Sequence, residues 1–276
     1  MTERVRRPSH RRGGTGRRRR NGRPDGRPAD RPPTPDGTLR LYGRHAVTAA
    51  LANPNRPVTV LTATPNALKG LDRPLIEQAR CPVETASPAA LDALVGADAR
   101  HQGLVLTAGP LPAVDIESLA PRPDTAEVVL VLDQVTDPHN VGACLRSAAA
   151  FGARALVTQK RHAPPESGPL AKAASGALEL VPWVRATNLT AALDRLADMG
   201  YWRLGLAGDA PVTLGEADLT GHLAIVMGSE GRGLRPLVAR HCDLAARIPI
   251  TDLAESLNVS NAAAVALYAV STGRPG

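Results

Sequence analysis

The sequence predicts an α/β protein: a mainly parallel sheet with helices on both faces, preceded by a smaller α/β unit and a basic tail. Two observations carry that expectation. From Ala126 onward, apolar runs such as VVLVL (128–132) and LAIVM (223–227) alternate with helical stretches, and strands covered on both faces are continuously apolar. Three polar clusters follow such runs, where open α/β sheets collect ligands at strand carboxyl ends.

In chain order, residues 1–38 form an arginine-rich tail. Residues 1–40 hold thirteen arginines and four acids, so of the chain's net charge of +7 this stretch carries +9 and residues 41–276 about −2. With so few apolar residues the tail cannot offset chain entropy and is expected to be disordered. It has the charge of a grip on phosphate backbones or of a solubilising arm.

Residues 39–108 alternate helix and strand patterns: LYGRHAVTAALAN, PVTVLTAT, NALKGLDRPLIEQAR, PVETAS, PAALDALVG and HQGLVLTAG. They predict a small α/β domain. Residues 109–125, with four prolines between Gly109 and Asp124, read as a linker. Residues 126–276 hold the larger unit, with strands expected at VVLVLDQV, ARALVTQ, LELVPWV, YWRLGLAG, HLAIVMGS and ARIPI. Its helices are expected from Asn140, near Leu170, at NLTAALDRLADMG, at GLRPLVARHC and at SNAAAVALYAV.

Composition narrows the function. At 276 residues and 43% apolar content the chain can build a real core. It shows neither a secretory signal nor a run of membrane-spanning length, so a soluble, cytoplasmic protein with no membrane partner is expected. The three cysteines are far apart and lack metal-ligand spacing, which predicts structural thiols and no metal site. Aromatic residues are 2% of the chain, so rows of stacked bases are not the expected mode of RNA contact.

The first polar cluster is TDPHNVGACLRSAAAFG (136–152). Asp137-Pro138 makes a turn, and Asn140 is suited to cap the helix or to face a ligand. Arg146 has Gly142, Ala143, Ala149 and Ala150 three and four residues away, so its own helix offers no carboxylate. Alone it would be an ordinary exposed arginine, but small neighbours let another chain or a substrate come close. In GSEGRG (228–233) the glycines permit close backbone approach, in neither a dinucleotide nor a P-loop pattern. A plain loop would not need Glu230. In ESLNVSNAAA (255–264) Asn258 stands at a helix start, crowded by Ser256, Ser260 and Asn261.

Taken together and in this order, DPHNVGACLRSAAAFG, IVMGSEGRGL and IPITDLAESLNVSNAAAVALY resemble the three motifs of the SpoU/TrmH family of ribose 2′-O-methyltransferases in the SPOUT superfamily. The resemblance covers about residues 126–270. LYGRHAVTAAL and HQGLVL are similar to the ends of the small RNA-binding domain in the branch that modifies a guanosine of 23S ribosomal RNA. The resemblance implies S-adenosylmethionine as cofactor, a deep C-terminal trefoil knot and a homodimer. It also implies RNA, as 23S rRNA or a precursor of the large ribosomal subunit, and no DNA. Catalytic or substrate-ordering roles carry over to Asn140, Arg146, Glu230, Ser256 and Asn258, and cofactor contacts to Gly228, Ile248 and Leu257. Ile250 and Glu255 depart from the common pattern without removing a functional group.

Methyl transfer to a ribose hydroxyl needs an aligned, deprotonating oxygen, which is largely a matter of positioning. A guanidinium is a fixed cation, so Arg146 suits a developing alkoxide or a neighbouring phosphate, from its own or a partner subunit. The same motifs serve transfer RNA enzymes, and a silent RNA-binding protein is a further alternative. A dinucleotide oxidoreductase lacks its glycine fingerprint here. The loop holding His162 and Glu166 matches no spacing that assigns it a role.

Overall fold

The structure, a computed structural model, describes residues 37–272; the expected disorder of the basic tail therefore falls almost wholly outside the described residues. The first unit runs β1 (Leu39–Tyr42), α1 (Arg44–Ala52), β2 (Val58–Ala63), α2 (Pro65–Lys69), α3 (Arg73–Ala79), β3 (Val83–Thr85), α4 (Pro88–Val95) and β4 (Leu104–Ala108). Its sheet has the order β1-β4-β2-β3, antiparallel except for the β2/β3 pair. The stretch NALKGLDRPLIEQAR is two helices rather than one. Gly70 ends α2, and Asp72 followed by proline in the first turn starts α3.

The second unit comprises β5 (Val128–Leu132), α5 (Pro138–Ala150), β6 (Ala155–Gln159), α6 (Gly168–Ala174), β7 (Trp183–Ala186), α7 (Leu189–Asp198) and β8 (Trp202–Leu206). It continues through β9 (Val212–Thr213), β10 (Leu223–Met227), α8 (Pro236–Arg240), β11 (Leu244–Arg247) and α9 (Val259–Thr272). Seven strands lie in the order β7-β6-β5-β10-β8-β11-β9, every pairing parallel. The parallel sheet foreseen from the apolar runs is present. The central strands β5 and β10 are buried at every residue. Their alternate side chains feed two cores. Val128, Leu130, Leu132 and Ile225 join the core beneath α5, α6 and α9, and Val129, Val131 and Val226 join the one beneath α7. Each such side chain contributes about 1.5–3 kcal/mol on burial, which fixes these strands as the rigid floor of whatever stands at their ends.

The segment between the sheets is tied down. A 3-10 turn (Ile116–Leu119) buries Leu119, whose carbonyl accepts from the Tyr201 hydroxyl at 2.9 Å. The larger apolar core is continuous from Leu39, Leu41 and Val47 of the first unit into α5 and α6 of the second. Leu214 and Ile248 near β9 and β11 also touch it, although IPI itself is not strand: β11 ends at Arg247, before Pro249.

Candidate active site

The three polar clusters converge at the carboxyl ends of β5 and β10. After β5 the chain turns through Asp137, which caps α5 by accepting from the His139 N–H at 2.8 Å, with Pro138 at the first helical position. Asp137, rather than Asn140, is thus the cap, because it immediately precedes a proline that already has helical φ and lacks the orphan N–H. That leaves the Asn140 side chain, in the first turn, free to reach across. Its Nδ2 donates to Glu230 Oε1 at 3.1 Å, and its Oδ1 accepts from Asn258 Nδ2 at 3.0 Å. Glu230 Oε1 also takes Asn258 Nδ2 at 2.5 Å and the Val259 N–H at 3.2 Å. Asn258 in turn caps α9, its Oδ1 accepting from the Ser260 N–H at 2.9 Å. One carboxylate therefore joins the starts of α5 and α9 to the loop after β10.

That loop is folded hard on itself. Ser229 pairs with Gly233 as an isolated antiparallel bridge, and the Gly233 N–H donates to the Ser229 carbonyl at 2.9 Å. A Cβ on Gly228 would lie 2.0 Å from the Gly233 carbonyl carbon and oxygen, so only glycine fits. Arg235 anchors the far end of the loop. Its Nη2 stands 2.6 Å from Oδ1 of fully buried Asp133, its backbone N–H donates to Asp133 Oδ2 at 3.0 Å, and Nη2 reaches Gln159 Oε1 at 2.9 Å. Sequence reasoning missed this clamp. A carboxylate ending a run of buried apolar residues was its signal, since an acid there has to find a partner.

Beside the loop opens a cavity of about 910 Å³ whose wall includes Gly228, Glu230, Ile248, Ser256 and Leu257. All three expected cofactor contacts thus face one space. Ser256 is exposed at its rim. Arg146 is the exception. It lies less than two turns beyond Asn140 and about a third of a turn round the helix, exposed, with no hydrogen-bond or ion-pair partner among the described residues. Near it, Ala149 and Ala150 are exposed, and Tyr268 of α9 is 58% exposed with its ring edge-on to Phe151, centroids 6.0 Å apart.

Of the three cysteines, Cys242 borders the cavity. Burial pushes Cys144 up to about 12 and Cys242 up to about 11, and all three cysteines are unpaired. Among the described residues no group of three or more His, Cys, Asp or Glu is placed to hold a metal ion, and no helix is long and apolar enough to cross a membrane.

The parallel sheet, the glycine loop and the Asn140–Glu230–Asn258 junction define a protein of the SPOUT methyltransferase architecture. The chain belongs to the SpoU rRNA methylase family, whose model matches residues 127–268, and a model of the RNA 2′-O ribose methyltransferase substrate-binding domain matches residues 40–113. It is 39% identical over 240 residues to the 23S rRNA (guanosine-2′-O-)-methyltransferase RlmB of Coxiella burnetii, covering 85% of this chain and 95% of that one. It is 38% identical to the RlmB of Pseudomonas aeruginosa, covering 84% and 95%. Among solved structures, an RNA 2′-O ribose methyltransferase superimposes with a TM-score of 0.67 at 25% identity, covering 86% of this chain and 89% of that one. The SpoU methyltransferase AviRb of Streptomyces viridochromogenes, in complex with AdoMet, shares the fold: TM-score 0.72, 24% identity, coverage 86% and 90%.

Proposed function

We propose that this protein transfers a methyl group from S-adenosylmethionine to the ribose 2′-oxygen of a guanosine in 23S ribosomal RNA. The observation that carries the reading is the meeting of Asn140, Glu230 and Asn258 beside a glycine-walled cavity. The names of relatives that match across 95% of their own length agree with it.

The cavity suits the cofactor. Its volume falls within the range of about 300–1,000 Å³ typical of small-molecule sites. Gly228 keeps its backbone bare at the wall, and Ile248 and Leu257 supply apolar contact. When bound, S-adenosylmethionine supplies an electrophilic methyl on a sulfonium. The protein's part is to hold the ribose oxygen in line with that methyl. Glu230 Oε1 is already filled by three donors, so its role is to organise Asn140 and Asn258. Arg146, a fixed cation, stabilises the developing alkoxide or holds the adjacent phosphate. Because it stands apart from the Glu230 junction on an exposed face, it serves the site of a partner subunit. Val265 and Tyr268 of α9, with Ala149 and Ala150, form the apolar ground of that homodimer contact. The chain from β10 through α9 closes a trefoil knot, and the enzyme works in the cytoplasm, where ribosomal RNA is.

The test is methyl incorporation from labelled S-adenosylmethionine into unmodified 23S rRNA and into bulk tRNA, side by side, with mapping of the labelled ribose. Label on one 23S guanosine is expected. Label on tRNA alone would overturn the substrate, and cofactor binding without label on either would point to a silent RNA-binding protein.

A further inference from the structure

Arg56 belongs to the loop between α1 and β2, yet its guanidinium engages the other unit. Its side chain is 0% exposed. Nη2 lies 2.7 Å from Glu179 Oε1, and Nε lies 3.1 Å from both Glu179 oxygens. Nη1 donates to Glu166 Oε2 at 2.7 Å and to the Gly109 carbonyl at 2.9 Å. Asn53 Nδ2 adds a donor to Glu179 at 2.8 Å, and the Leu111 N–H one to Glu166 at 3.1 Å. Burial opposes the charge of Arg56, but the hydrogen bond to Glu179 and the fields of both carboxylates outweigh it and raise its pKa. The small unit, the connecting segment and both flanks of α6 thus meet on one guanidinium.

Helix α6, held between those two glutamates, touches backbone on both sides. A Cβ on Gly168 would stand 2.5 Å from the Arg40 carbonyl of β1 and 2.4 Å from the Tyr42 ring. A Cβ on Gly142 of α5 would stand 2.4 Å from the Leu170 carbonyl of α6. Gly142 lies between Asn140 and Arg146. Close-packed backbones transmit displacement rather than absorb it, so moving the small unit moves α6 against the helix that carries both residues.

We infer that Arg56, with Glu166 and Glu179, is a positioning cluster that sets the attitude of the substrate-binding unit relative to Asn140 and Arg146, and so the register in which RNA meets the methyl donor. The inference rests on the proposed RNA methylation and adds residues remote from the cofactor cavity. A buried ion cluster is a weak stabiliser compared with apolar packing, whereas the planar guanidinium fork accepts one geometry.

Two full-length variants test it: Arg56→Lys, which keeps the charge but loses the fork, and the triple variant Arg56→Met, Glu166→Gln, Glu179→Gln, which leaves no charge buried within the cluster. Calorimetry counts cofactor-binding sites, and steady-state methylation gives kcat per site and KM for RNA. Cofactor affinity and RNA KM are expected within about twofold of the parent, with kcat per site lower by about tenfold or more. An unchanged kcat per site in either variant would overturn the inference. So would a rise in RNA KM at constant kcat, which would make the cluster part of the RNA grip, or a loss that follows missing cofactor sites, which would make it merely structural. A parent enzyme that binds cofactor but methylates no RNA would instead sink the functional reading.

Discussion

The Asn140 side-chain amide donates to Glu230 Oε1 at 3.1 Å, joining the first turn of α5 to a loop that lies 90 residues further along the chain. Asn258 completes the junction from the start of α9. Glu230 is the hub, because the other two polar groups and the Val259 N–H all converge on one of its oxygens.

Glu230→Ala would release both asparagines and leave the Val259 N–H without its partner. Hydrogen bonds to a charged group are worth about 1.5–3 kcal/mol each, so a fall in methyl transfer of about a hundredfold or more is expected. Glu230→Gln keeps the acceptor oxygen and should lose less. Comparing kcat of the two variants checks the assignment; equal losses would show that the charge, rather than the geometry of Oε1, matters.

At Gly228 the constraint is steric. The atoms an added Cβ would meet are backbone, at 2.0 Å from Gly233 and 2.3 Å from the Leu234 nitrogen, and neither can swing away. Gly228→Ala must open the loop and deform the cavity wall. Calorimetric S-adenosylmethionine affinity is expected to fall by at least about tenfold, with a lower Tm, as overpacking of this kind costs about 1–3 kcal/mol.

Arg146→Ala separates positioning of RNA from binding of cofactor. The residue is exposed and outside the cavity wall, so cofactor affinity should stay within about twofold while turnover is abolished. Mixing Arg146→Ala with Glu230→Ala protomers tests service across subunits. Recovery of part of the activity in the mixed dimers is the expected result.

Much of this was legible in the sequence because it is local. Continuous apolar runs foretold β5 and β10, and glycines with a lone acid marked the loop after β10. The cap of α5 was misplaced by three residues because Asp137 and Asn140 are both good capping side chains, and only the proline between them decides. The pairings within the Asp133–Arg235–Gln159 clamp and the Arg56–Glu166–Glu179 cluster could not be read, because their members are far apart in sequence. Asp133, at the end of an apolar run, carries a local sign of burial, but nothing local names its partner, and Arg56 in its loop carries no such sign. Glu166, whose loop has no assignable spacing in the sequence, meets Arg56 from the other unit at 2.7 Å.

Glu127 offers a prediction about pH. It is buried at the foot of β5, where Arg122 Nε donates at 2.6 Å, Arg154 Nε lies at 3.5 Å, and the Tyr201 hydroxyl, whose one proton is shared with the Leu119 carbonyl, lies at 3.2 Å. Burial pushes its carboxyl up, but the Arg122 hydrogen bond, the Arg154 charge and the Tyr201 hydroxyl together bring it below the ordinary glutamate value of 4.5. Burial and the neighbouring Glu127 charge push the Tyr201 phenol upward, so it stays a donor at neutral pH. A depressed folded pKa means the unfolded chain takes up the proton first. The stabilisation is therefore complete above the ordinary glutamate value and drains away as pH falls through the lower folded value. Glu127→Gln should cost about 1–3 kcal/mol at pH 7, with the gap to the parent narrowing as the medium is acidified below the glutamate range. Urea midpoints of both proteins across that range measure it. A gap that stays constant with pH would mean that Glu127 acts through shape alone and that its charge does not help to anchor the foot of β5.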